Sequence, residues 1–145
     1  MHHKKIDLQN GQKTYVVVLD ANEDAFATLA AFATEQGLTA ASITAIGAFE
    51  HATVGWFDFA DCSYRKILVA EQCEVLNLIG DIATGDDGKA SLHLHAVLGL
   101  RDGSTRGGHF LEGVVHPTLE ATIIETPVAL HRRHRKDLGI ALIEL

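Results

Sequence analysis

Ser91-Leu92-His93-Leu94-His95-Ala96-Val97-Leu98-Gly99, then Arg101-Asp102-Gly103-Ser104, then Gly107-Gly108-His109-Phe110-Leu111-Glu112-Gly113 is the stretch on which the reading of this chain turns. It reads as a strand, a tight turn and a returning strand. Three of the nine histidines fall inside it. His93 and His95 are two residues apart, so on a strand they share a face. His109 follows a Gly-Gly pair on the way back.

Register decides whether His109 joins the other two, because directly opposite residues lie on the same face of a strand pair. A two-residue Asp102-Gly103 loop turns His109 away from both. A three-residue Asp102-Gly103-Ser104 loop sets Leu111 opposite His95 and makes His109 a diagonal neighbour, within reach of a shared ion. A bulge at Gly107-Gly108 also switches the parity. Three neutral imidazoles suit Zn²⁺ best among divalent metals and leave a fourth position for water or an acidic ligand. Glu112 and Glu74 are the candidate carboxylate partners. The competing reading makes His93 and His95 half-buried strand residues satisfied by their neighbours, since His-x-His alone is a weak motif.

Outward from the hairpin, the chain reads as strands around one helix. Thr14–Leu19 is β-branched and apolar, a buried strand. Asn22 is placed as a helix N-cap, with Glu23 and Asp24 in the first turn. Phe26, Leu29, Ala30 and Ala33 repeat at helical spacing, and Gly37 sits where a C-terminal cap belongs. This predicts a helix over Glu23–Gln36 that packs on a sheet. Ser42–Ala48, His51–Phe59, Arg65–Ala70 and Cys73–Ile82 read as strands, with Gly80 a bulge candidate. Thr84-Gly85-Asp86-Asp87-Gly88 is a turn. Pro117 closes the hairpin, and Leu119–Glu125 and Gly139–Leu145 are further strands. Residues 1–13 read as loose or edge-like. One helix and about eight strands joined by short turns predict an α+β fold, an antiparallel sheet packed with that helix. The 145 residues suit one domain, 1–145.

Composition narrows the function classes. The formal net charge of −7 disfavours broad electrostatic binding to nucleic acid. Arg132, Arg133, Arg135 and Lys136, interleaved with His131 and His134, form one basic cluster. It reads as a solvated loop or as an anion or partner contact. Four adjacent cations argue against a metal at His131 and His134. His116 is a turn residue before proline, and His51 has no visible partner. Cys62 and Cys73 lack metal-type spacing and fit a reducing compartment. No apolar run has membrane-spanning length, and no signal-peptide region opens the chain, so the expected location is cytoplasmic. Gly-x-Gly-x-x-Gly, P-loop and Gly-x-Ser-x-Gly motifs are absent.

Leu92-His93-Leu94-His95-Ala96-Val97-Leu98-Gly99, the Arg101-Asp102-Gly103 turn and Gly107-Gly108-His109-Phe110-Leu111-Glu112-Gly113 resemble the signature of the PPC (plants and prokaryotes conserved) domain. Glu74-Val75-Leu76-Asn77-Leu78-Ile79-Gly80-Asp81-Ile82 resembles the family's preceding strand, and the resemblance runs from Tyr15 to Leu145. It implies a barrel-like antiparallel sheet, a homotrimer, and zinc ligands at His93, His95 and His109. It leaves the catalytic residues unassigned. The small-molecule role beside such a zinc, whether binding or a hydrolase or lyase reaction, stays open. Plant members follow AT-hook motifs and point to an alternative DNA-associated or protein-interaction role. This chain has no Arg-Gly-Arg-Pro core, and plant domains lack the histidines.

Overall fold

The computed structural model describes residues 1–9 and 11–145. In chain order the elements are β1 (His2–Asp7), β2 (Lys13–Asp20), α1 (Ala25–Glu35), β3 (Ala40–Asp58), β4 (Ser63–Val69), β5 (Cys73–Thr84), β6 (Ala90–Gly99), β7 (Thr105–Glu125), β8 (His131–Arg135) and β9 (Ile140–Glu144). The strands form one mixed, mostly antiparallel sheet, in which β5 and β8 make the parallel contact.

The expected barrel is a ring. Strand β3 pairs with β5 and β7, β5 pairs with β6, and β6 pairs back to β7. It is not a true barrel, because β6 meets β7 only from His95–His109 to Gly99–Thr105, and β1, β2, β4, β8 and β9 lie off the ring. Alternation along β6 sorts the hairpin's residues: Leu94, Ala96 and Leu98 are buried inside, whereas His95 and Val97 stand outside. Phe49 and Phe110 stack inside the ring at 5.4 Å.

The helix begins later than its sequence suggests. Asp24, not Asn22, is the N-cap, and its carboxylate accepts from the Ala27 amide at 2.8 Å. Asn22 instead takes a left-handed turn at φ 71° and donates its amide to Val115. The predicted end is observed: Gly37 is left-handed, and the Leu38 amide closes back on the Ala33 carbonyl at 3.0 Å. Ala25, Leu29, Phe32 and Ala33 are the buried stripe, with Phe26 at its margin. Phe32 meets Tyr15 of β2 edge-on.

Two expected strand breaks are not breaks. Ser42–Ala48 and His51–Phe59 fuse into β3, which absorbs the irregularity as register shifts near Gly47 and between Phe49 and His51. A Cβ on Gly47 would lie 2.3 Å from the Thr118 carbonyl oxygen, so the strands touch there only because the side chain is missing. Pro117 lies inside β7, where pairing with β3 skips from Leu119 to Val115 and no ladder donor is required. Gly80 is not a bulge; it pairs with Ile43 and Leu94, and the β5 irregularity falls between Val75 and Asn77. Residues 2–7 form an edge strand rather than a loose segment. The run His131–Arg135 is a strand rather than a loop. Among the described residues no helix is long and apolar enough to cross a membrane.

Candidate metal centre

The β6–β7 hairpin settles the register in favour of the histidines, by neither predicted loop. Gly99 pairs with Thr105, leaving Leu100–Ser104 as a five-residue connection. The Leu100 amide donates to Ser104 and the Gly103 amide to Leu100, each at 2.9 Å, with Gly103 at φ 83°. The Asp102 carboxylate accepts from the amide and hydroxyl of Ser104, which holds its pKa below the usual carboxylate range. With this loop His95 lies directly opposite His109.

Glycines set how close the strands come. A Cβ on Gly108 would meet the Gly55 carbonyl oxygen at 2.4 Å, and one on Gly55 would meet the Tyr64 ring at 2.8 Å. Their absence lets β7 settle against β3 and lets Tyr64 lie nearly flat on His109, with centroids 4.6 Å apart. Gly107 and Gly108 therefore belong to strand packing, each in register with β6.

His93, His95 and His109 each offer one ring nitrogen, and the three donors lie within 4.8 Å of one another. The Nε2 atoms of His93 and His95 are 3.1 Å apart, close to the ~3.3 Å edge of a tetrahedron built on ~2.05 Å Zn–N bonds. The Nδ1 of His109 is buried and has no hydrogen-bond partner. Desolvation, helped by the neighbouring histidines and Arg132, lowers the His109 pKa to about 4. Burial, Arg132 and His95 also lower that of His93, with Asp81 opposing. Both rings are thus neutral near pH 7, the form that offers a lone pair to a metal. The donor set fits a divalent transition metal, and three protein ligands leave a position open.

The expected carboxylate partners are elsewhere. Glu112 accepts a hydrogen bond from Thr53 at 2.8 Å, and Glu74 pairs beside Ala48 and Gly99. His51 and His116 are exposed and outside the cluster, as is His131 on β8. His134 lines a 270 Å³ cavity together with His93 and His109 but is not one of the converging donors.

The sequence profile of the Plants and Prokaryotes Conserved domain matches residues 7–127. The chain belongs to the PPC domain family. A PPC protein from Pyrococcus horikoshii is 28% identical, with a TM-score of 0.84 and 91% of each chain covered. A protein from Archaeoglobus fulgidus, described as metal-containing, is 31% identical with a TM-score of 0.81, covering 89% of this chain and 91% of its own. A candidate DNA-binding protein from Bacteroides thetaiotaomicron is 27% identical with a TM-score of 0.87, covering 98% of this chain and 96% of its own. No curated protein matches the chain.

This PPC domain adds residues that the pattern of histidines does not announce. Arg132 is 4% exposed. One of its terminal nitrogens donates to the Ser91 carbonyl at 2.8 Å and the other pairs with Asp81. Asp81 lies opposite His93 across the β5–β6 ladder. Its signal was a lone carboxylate within the apolar run Leu78–Ile82, since a charge in such a strand requires a partner. The basic cluster is correspondingly not a free patch: Arg133 pairs with Glu144 and Asp86, and Arg135 with Asp137. Tyr64 was missed because an isolated tyrosine beside a turn carries no pattern.

Proposed function

We propose that this PPC domain is a trimeric zinc protein whose three-histidine centre binds or acts on a small molecule. The observation that carries the reading is the convergence of the His93, His95 and His109 donors within 4.8 Å on one rigid hairpin. The metal-containing relative from Archaeoglobus fulgidus supports it. His93, His95 and His109 would hold the metal. When bound, zinc in a three-imidazole site lowers the pKa of a coordinated water toward ~7, the chemistry of metal-assisted hydrolase and lyase reactions. The chain's own contribution is orientation: β6 and β7 fix the rings, Tyr64 covers His109, and the Arg132–Asp81 pair borders His93.

Trimer formation is supported by the outer face around His95. Leu76, Ile79 and Val97 are 53%, 45% and 41% exposed there, an apolar surface of the kind that marks association. A cytoplasmic location agrees with two free cysteines. A DNA-associated role, the alternative suggested by plant AT-hook proteins and by the relative from Bacteroides, is less well supported. Arg132, Arg133 and Arg135 are all committed to carboxylates.

The test is elemental analysis of tag-free protein beside His95→Ala, with mass measured in solution. About one zinc per chain, lost in the variant, together with a trimer mass, is the expected result. A folded, metal-free wild type overturns the metal reading.

A further inference from the structure

The 270 Å³ cavity next to the histidines has a mixed lining. His93, His109, His134, Ser91 and the buried Arg132 bring polar groups to it, and Ile140 and Leu142 of β9 bring apolar ones. We propose that this cavity is a subsite for a short-chain organic carboxylate, its charged end taken by the metal beside the buried Arg132 charge and its chain against the β9 side. The proposal deepens the metal reading above and rests on it.

Charge is the first argument. A divalent metal on three neutral imidazoles keeps its full +2, and no carboxylate belongs to the donor cluster. Asp81, the acidic group opposite His93, is already paired with Arg132. A half-buried dication with no anionic ligand calls for an anion from outside.

The second argument is Arg132 itself. It is nearly fully buried, its two terminal nitrogens are engaged, and its Nε–H is buried without a partner. None of its donors is open to a ligand, so it acts on an anion through its positive charge, which His93 and His109 also feel. The third argument is the wall. Ile140 and Leu142 on β9 bring apolar side chains to the lining, and this favours a carboxylate with a carbon chain over phosphate. Both β8 and β9 lie beyond residue 127, outside the segment matched by the family profile. The selectivity would thus belong to this chain's C-terminal hairpin, while the histidines supply the metal.

Full-length protein loaded with Co²⁺ tests this, with cobalt content measured first. Acetate, butyrate and phosphate are titrated, followed by the visible cobalt spectrum and by calorimetry. The expected result is a spectral change with both carboxylates. Butyrate should bind more tightly than acetate by up to about 4-fold per buried methylene, from ~0.8 kcal/mol each. Phosphate should bind more weakly than either. Leu142→Ala, at a 37% exposed position, should erase the butyrate advantage and leave acetate unchanged. The charge-neutral pair Asp81→Asn with Arg132→Gln should weaken acetate at least 10-fold per bound cobalt. Cobalt bound at one per chain with no response to carboxylate overturns the subsite alone. Equal binding of all three anions, insensitive to both sets of variants, overturns it as well. Failure to bind cobalt removes the metal reading and the subsite together.

Discussion

Two hairpins meet at the cavity, and they are held to the molecule by opposite means. The β6–β7 hairpin is anchored by apolar burial: Leu94, Ala96, Leu98 and Phe110 fill the ring while the histidines ride on the outer face. The β8–β9 hairpin has one ladder contact with the ring, Thr84 with His131, and one buried anchor, Arg132 with Asp81 and Ser91. Apolar anchoring is non-directional and tolerates small movements. A buried ion pair holds only while both partners and their hydrogen bonds are in place. The contrast assigns rigidity to the side that carries the three histidines and conditional attachment to the side across the cavity from them.

The comparison breaks most completely at Phe110. Its ring is fully buried, stacked on Phe49 and in contact with Phe26. Phe110→Ala should cost about 4 kcal/mol, the usual range for a buried aromatic, in urea unfolding of metal-free protein. A loss below about 1 kcal/mol would mean that the hairpin is not anchored from the ring's interior.

Arg132→Leu comes next. It strands Asp81, whose side chain is one-third exposed, so the expected loss is about 2–3 kcal/mol, below the 3–5 seen for fully buried pairs. Adding Asp81→Leu should recover most of it, because replacing both charges removes the unpaired group. If the double variant is as unstable as the single, Arg132 acts through packing and not through charge.

How much of this was legible before the structure depended on which anchor an element uses. Leu94, Ala96 and Leu98 alternate with His93, His95 and Val97, and that period alone announced the strand and its shared histidine face. The partner His109 was less legible. Its register depends on a five-residue loop that Asp102-Gly103 suggests but does not delimit, and on close contacts at Gly55 and Gly108 that involve distant segments. The fused strands β3 and β7 were hidden for a related reason: Gly47 and Pro117 look like terminators locally, and the sheet accommodates both as irregularities. The β8 strand was the least legible. Its five residues are all basic or histidine, and only the distant Asp81 makes Arg132 an interior group.

Proton uptake sharpens the comparison on the histidine side. His109 and His93 have folded-state pKa values below the ordinary 6.5, His109 at about 4. The unfolded chain therefore binds protons first as pH falls, and the folded state loses stability. Metal-free protein should be most stable above pH 6.5 and weaken progressively toward pH 4. His109→Gln should flatten that slope in thermal melts, without affecting the Arg132 anchor. Zinc should be released over the acid limb, since protons and metal compete for the same lone pairs. A wild-type slope identical to that of His109→Gln would show that the imidazole is not desolvated.

The smallest stability effect expected is that of His95→Ala. The side chain is exposed, and its strand is fixed by the buried residues on either side, Leu94 and Ala96. Without metal, and at a dilution where the chain is monomeric, its removal should change unfolding free energy by less than about 0.5 kcal/mol, the usual limit for surface positions. With zinc, the same variant should lose the stabilisation that the wild type gains from binding, about 2.7 kcal/mol when free zinc is 100 times Kd. The two measurements together separate a ligand from a structural histidine. A residue that only held strands together would register equally in both. If His95→Ala destabilises the metal-free protein as much as the loaded one, the outer face of β6 is part of the anchor and the division between the two hairpins fails.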